Sequence, residues 1–105
     1  MVARGDVYWI DLDKRRPCVV VSSQDVLGVD VWQAHVVPLT SNLDRAGLAG
    51  NVMLETAVTG LPTASVAVPL GLELIDRSWL GDRVGQLPAA LASAVDDGVR
   101  AVLGL

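Results

Sequence analysis

Arg4-Gly5-Asp6-Val7-Tyr8-Trp9-Ile10-Asp11-Leu12 leads through the charged bend Asp13-Lys14-Arg15-Arg16 into Pro17-Cys18-Val19-Val20-Val21-Ser22. The first run alternates and is rich in β-favouring Val, Tyr, Trp and Ile, so residues 7–12 read as a strand. Residues 17–22 form a short continuous apolar run with β-branched valines, which reads as a second strand buried on both faces. Only a few residues join the two, so they are expected to pair as an antiparallel hairpin.

Outward from this hairpin the chain keeps a strand-and-turn rhythm. Residues 22–28 offer an N-cap serine and a closing glycine, enough for one helical turn. Residues 34–40 read as a third strand and 41–50 as a loop. Strands are expected at 51–55 and 65–70 around the Gly60-Leu61-Pro62-Thr63 turn, and another at 72–75. Residues 76–81 suggest a capped helical turn, and 82–86 a last strand. From Pro88 the period changes: Leu91, Ala94 or Val95, Gly98 and Val102 recur at helical spacing, with Asp96, Asp97 and Arg100 on the opposite face. Many short strands and one terminal helix define an α+β chain, a small bent sheet or barrel closed by that helix.

The 105 residues have room for one domain, 1–105, and one core. At 51% hydrophobic the composition hints at a buried oligomer face. The net charge of −4 runs against the basic surface that nucleic-acid binders usually present. Local charge governs contact, however, and seven arginines and one lysine can gather along one groove. The single cysteine, Cys18, allows neither an intrachain disulfide nor a Cys-rich metal site, and its apolar setting suits an inert buried thiol. One histidine and scattered aspartates show no ligand spacing, so no metal or other cofactor is expected. No signal-like segment or long apolar run occurs, which points to a cytoplasmic protein that does not span a membrane.

Two motifs carry candidate chemistry, Arg16-Pro17 and Pro38-Leu39-Thr40-Ser41. With the opening run, their order resembles the MazF/PemK/Kid family of toxin endoribonucleases, and the resemblance extends from Arg4 into the C-terminal helix. It implies the SH3-like small β-barrel shared by MazF, Kid and the gyrase poison CcdB. It also implies a type II toxin that cuts single-stranded RNA without a metal and so inhibits translation and growth. Attack by a 2′-hydroxyl would leave 2′,3′-cyclic phosphate and 5′-hydroxyl ends. The expected partners are RNA, a second copy of the chain in a homodimer, and a cognate MazE-like antitoxin whose tail fills the RNA groove.

The resemblance places Arg16 and Thr40 as the catalytic pair. A permanently charged, forked guanidinium suits the charge that builds on a five-coordinate phosphorus. A threonine hydroxyl can donate one hydrogen bond to a phosphate oxygen, or instead cap the following turn. Arginine stays protonated below about pH 12 and makes a poor base, so Asp11, Asp13 and His35 are the candidate proton-transfer helpers. Lys14, Arg15, Ser41 and Arg45 are expected to contact RNA, and Trp32, in a loop, to offer a base-stacking face. Tyr8 and Trp9 fall on opposite faces of their strand, so at most one is core, and Trp79 reads as core or dimer contact. The chain departs from the family twice. The first hairpin loop is cut to Asp13-Lys14-Arg15, and Glu73 stands where relatives commonly carry a basic residue. A non-catalytic CcdB-like gyrase poison, or a degenerate module that only binds antitoxin, is the alternative.

Overall fold

The structure is a computed structural model and describes residues 2–29 and 32–105. Strand β1 (Asp6–Asp11) pairs antiparallel with β2 (Arg15–Val20), Val7 facing Val19 and Asp11 facing Arg15. The hairpin turn is therefore Leu12-Asp13-Lys14. Strand β3 (Gln33–Thr40) follows the short helix α1 (Gln24–Leu27), whose first turn is capped by the Ser23 hydroxyl. Then come β4 (Val52–Leu54), helix α2 (Thr56–Thr59), β5 (Ser65–Ala67), β6 (Glu73–Asp76), β7 (Leu80–Gln86) and α3 (Ala89–Leu103). The antiparallel sheet runs β4-β5-β3-β2-β1-β7, and β6 also pairs with β3. This is a curled α+β half-barrel closed by a C-terminal helix.

Strand β3 links the two ends of the sheet. Val36 to Pro38 pair with β2, Gln33 to Val36 with β6, and Leu39 and Thr40 with β5. Pleating sends alternate side chains to two cores. Val7, Val19, Val37, Leu39, Leu54 and Val95 pack together on one face. Tyr8, Ile10, Cys18, Val20, Val36 and Ile75 fill the other. The two-sided burial expected of the second strand holds at Cys18, Val19 and Val20, whereas Arg15 and Arg16 at its start are exposed.

Three expectations need correction. The strand expected over 65–70 ends at Ala67, because Pro69 has no N–H for a ladder and opens a 3₁₀ turn, Pro69–Gly71. Asp96 is only partly exposed and is not a bare surface charge: it pairs with Arg4, whose guanidinium also donates to the Val21 carbonyl at 2.6 Å, tying the N-terminus to α3. Of the two roles expected for Trp79, core is excluded: it is 40% exposed in the 3₁₀ turn Arg77–Trp79 and belongs to neither core, which leaves the dimer contact. Helix α3 buries Val95 and Gly98, the latter against Pro69 and the Gly50 carbonyl, while Val102 stays exposed.

Candidate active site

Pairing between β2 and β3 stops at Cys18 opposite Pro38. Beyond that point β3 turns away, its Pro38 carbonyl accepting from the Val68 N–H at 3.0 Å and its last residues pairing with β5. Pro38 cannot donate to a neighbour, so the ladder ends there at little cost. A wedge opens between the start of β2 and the end of β3 and forms a cavity of about 800 Å³. Arg16, from β2, and Thr40, from β3, both line it.

The cavity has two chemical halves. Arg15, Arg16, Thr40, Ser41 and Arg45 supply the polar part. Trp9, Pro17, Leu39, Leu61 and Pro62 supply apolar wall. Among the described residues no carboxylate lines it, so three arginines and no acid border this one concavity on a chain of net charge −4. That arrangement favours an anion bearing apolar groups, and it locates the basic groove that bulk composition conceals.

The Arg16 side chain is 55% exposed, and its Nη2 lies 3.9 Å from the Glu73 carboxylate on β6. A long, half-exposed pair of this kind holds the guanidinium only weakly and leaves it free to meet a ligand. Thr40 Oγ1 accepts a hydrogen bond from the Asn42 N–H at 3.2 Å, which caps the turn after β3. Capping uses a lone pair and leaves the hydroxyl proton available to donate into the cavity. The two roles weighed for Thr40 are thus compatible. Arg45 reaches the rim from the 3₁₀ turn Leu43–Gly47, which Asn42 caps through its Oδ1.

The other predicted residues divide. Arg15 lines the cavity, stacked 4.7 Å above the Trp9 ring, but its charge is shared with Asp11 at 3.2 Å and Asp82 at 3.0 Å. Asp11 is therefore engaged with Arg15 and lies outside the cavity wall, as do exposed Asp13 and Lys14 in the hairpin turn. His35 is exposed on β3 rather than half-buried; its backbone N–H donates to the Ser22 hydroxyl at 2.7 Å and its carbonyl accepts from the Val21 N–H at 3.0 Å, so its bonds are main-chain ones. Trp32 is 65% exposed before β3 and does not line the cavity; the aromatic face there is Trp9.

Glu73, a departure from the family pattern and not among the expected site residues, is the carboxylate that meets Arg16. Both groups act on Cys18 beneath them. Burial pushes that thiol up to about 12; the Glu73 charge adds to the rise, while a hydrogen bond with the Tyr8 backbone and the Arg16 charge oppose it. Cys18 is thus a neutral, inert thiol. Among the described residues no three His, Cys, Asp or Glu side chains come together as metal ligands, and no helix is long and apolar enough to cross a membrane.

An arginine-lined wedge in a curled sheet backed by a terminal helix defines a class, and comparison with known proteins identifies it. Residues 3–103 match the family model of PemK-like, MazF-like toxins of type II toxin–antitoxin systems. The chain belongs to that family. Its relatives include endoribonuclease MazF2 of Mycobacterium bovis and endoribonuclease MazF6 of Mycobacterium tuberculosis. Each is 34% identical over 113 residues, covering 100% of this chain and 99% of its own length. Among solved structures, the Mycobacterium tuberculosis toxin MazF-mt6 has a TM-score of 0.82 at 27% identity, covering 95% of this chain and 97% of that one. A mycobacterial endoribonuclease in complex with its cognate antitoxin has a TM-score of 0.86 at 23% identity, covering 100% of this chain and 97% of that one.

Proposed function

We propose that this chain is the toxin endoribonuclease of a type II toxin–antitoxin module and that Arg16 and Thr40 form its catalytic pair. The observation that carries the assignment is their convergence, from two strands that part company, on one basic cavity. A non-catalytic gyrase poison has no need of such a pair.

In the proposed reaction the 2′-oxygen of a ribose attacks the adjacent phosphorus while the 5′-oxygen leaves. The products are a 2′,3′-cyclic phosphate and a 5′-hydroxyl. Negative charge grows on the non-bridging oxygens, and the Arg16 guanidinium is placed to bind it. The Thr40 hydroxyl donates to the same phosphate or orients the attacking ribose. Solvent takes the 2′-proton and returns one to the leaving oxygen, and no metal takes part. The substrate is single-stranded, because an unpaired segment can lay its bases against Trp9 and the apolar wall.

The working unit is a cytoplasmic homodimer of single-domain chains spanning 1–105. Its antitoxin is a MazE-like protein whose tail competes with RNA for the cavity. Leu70, 77% exposed at the rim, offers that tail an apolar anchor. The test is to incubate the purified protein with total cellular RNA and map new 5′-hydroxyl ends. Discrete new ends are expected from the wild type and none from Arg16→Ala. An absence of new ends with the wild type would refute the assignment.

A further inference from the structure

Among the described residues the other buried serine and threonine hydroxyls have partners. Ser22 Oγ accepts from the His35 N–H at 2.7 Å. Thr59 Oγ1 donates to the Glu55 carbonyl at 3.5 Å and accepts from the Leu61 N–H at 3.0 Å. Ser65, at the start of β5, is the exception. It is 2% exposed, and its Oγ is the one buried side-chain polar atom without a hydrogen-bond partner among the described residues. It also lines the cavity.

Register shows which half it serves. Ser65 faces Leu54 across β4 and alternates with Val66, the residue opposite Thr40. It therefore shares a face with Leu54 and Ala67 and adjoins the apolar wall containing Leu39 and Leu61. A hydroxyl there gives the folded chain nothing that alanine would not, and unpaired it is a cost. A ligand atom that bonds it turns the cost into recognition.

The chemistry of that half selects the ligand. Arg16 and Arg45 attract phosphate, whereas a neutral hydroxyl on the cavity that Trp9, Leu61 and Pro62 also line does not. A nucleobase fits both features, with a flat face for the apolar wall and a polar edge for an oxygen that can donate or accept. We infer that Ser65 is a specificity-determining residue, its hydroxyl bonding the edge of a nucleobase beside the scissile phosphate. This inference rests on the endoribonuclease reading and adds to it a residue that chooses the base.

The experiment compares wild type and Ser65→Ala on a randomised RNA pool, sequencing the cleaved ends. The variant should keep cutting while its preference at one position next to the cut falls by about 3- to 10-fold, the worth of one neutral hydrogen bond. Identical preferences in the two proteins would overturn the inference and leave the nuclease reading standing. No cleavage by the wild type would overturn both.

A second measurement does not depend on the variant turning over. It measures binding of non-cleavable 2′-deoxy oligonucleotides carrying one abasic position at a time. Removing the selected base should weaken the wild type more than Ser65→Ala, which loses only the contact with the apolar wall. Equal weakening of both proteins at every position overturns the role of Ser65. Lost antitoxin affinity with unchanged base preference would assign the hydroxyl to the protein partner and overturn it equally.

Discussion

Removing the Glu73 charge should make the enzyme faster. Arg16 Nη2 lies 3.9 Å from Glu73 Oε1, with the two side chains 55% and 42% exposed. Unit charges about 4 Å apart in bulk water attract by about 1 kcal/mol. Exposed pairs measured by double-mutant cycles fall at roughly 0.2–1 kcal/mol. A substrate phosphate must displace this partner before Arg16 can serve it, so most of that energy opposes catalysis. Glu73→Gln keeps the shape and removes the charge, and kcat/KM should rise by roughly 1.5- to 5-fold. The gain should shrink as salt screens the pair. Single-turnover cleavage of a short fluorescent RNA at low and high ionic strength measures both effects. A tenfold or larger fall in rate would refute this reasoning and make Glu73 a proton acceptor or an anchor for Arg16.

Thr40→Val removes the donor while keeping the branched shape, and should slow the chemical step by roughly 10- to 1,000-fold with little change in binding. Single-turnover rates read this out, and an unchanged rate would leave Thr40 only its capping bond to Asn42. Cys18 should shape the alkaline limb of stability. Between the ordinary thiol value of 9.0 and about 12, the folded chain keeps a proton that the unfolded chain has lost. Stability should therefore fall as pH rises through that window, by at most about 1.4 kcal/mol per pH unit, and be insensitive to Cys18 below it. Urea unfolding of Cys18→Ala should show a flatter limb; Tyr8, whose hydroxyl is also raised by burial, supplies part of the remaining slope. Gly98→Ala, normally helpful in a helix, should destabilise by roughly 1–3 kcal/mol, because its Cβ would sit 2.6 Å from Pro69 Cγ and press on the Gly50 carbonyl. Thermal unfolding measures this, and a raised melting temperature would show that α3 can shift away.

The hairpin, the third strand and the terminal helix were legible because alternation and helical spacing are local signals that survive folding. Short motifs with a family resemblance singled out Arg16 and Thr40, which the fold brings to one cavity. What the sequence concealed depends on partners far along the chain. Arg15 sits beside Arg16 in sequence, yet Asp82 in β7 shares its charge. Trp9 rather than Trp32 became the aromatic wall because β2 and β3 separate next to it, an event that only three-dimensional register reveals. Asp96 carries a solvent-like spacing on α3, but the N-terminal segment folds back and brings Arg4 to it. Helix α2 has only four residues, too few to display a period. Ser65 has no motif at all; its unpaired hydroxyl is visible only once its neighbours are placed.

Single-turnover cleavage by Arg16→Ala, run beside a circular dichroism spectrum and a sedimentation measurement of the same sample, probes the proposed catalytic role of Arg16 most directly. A folded, dimeric protein that no longer cuts RNA is the predicted result. Undiminished cutting by that folded protein would contradict it, since the growing charge on the phosphate would then be met without this guanidinium.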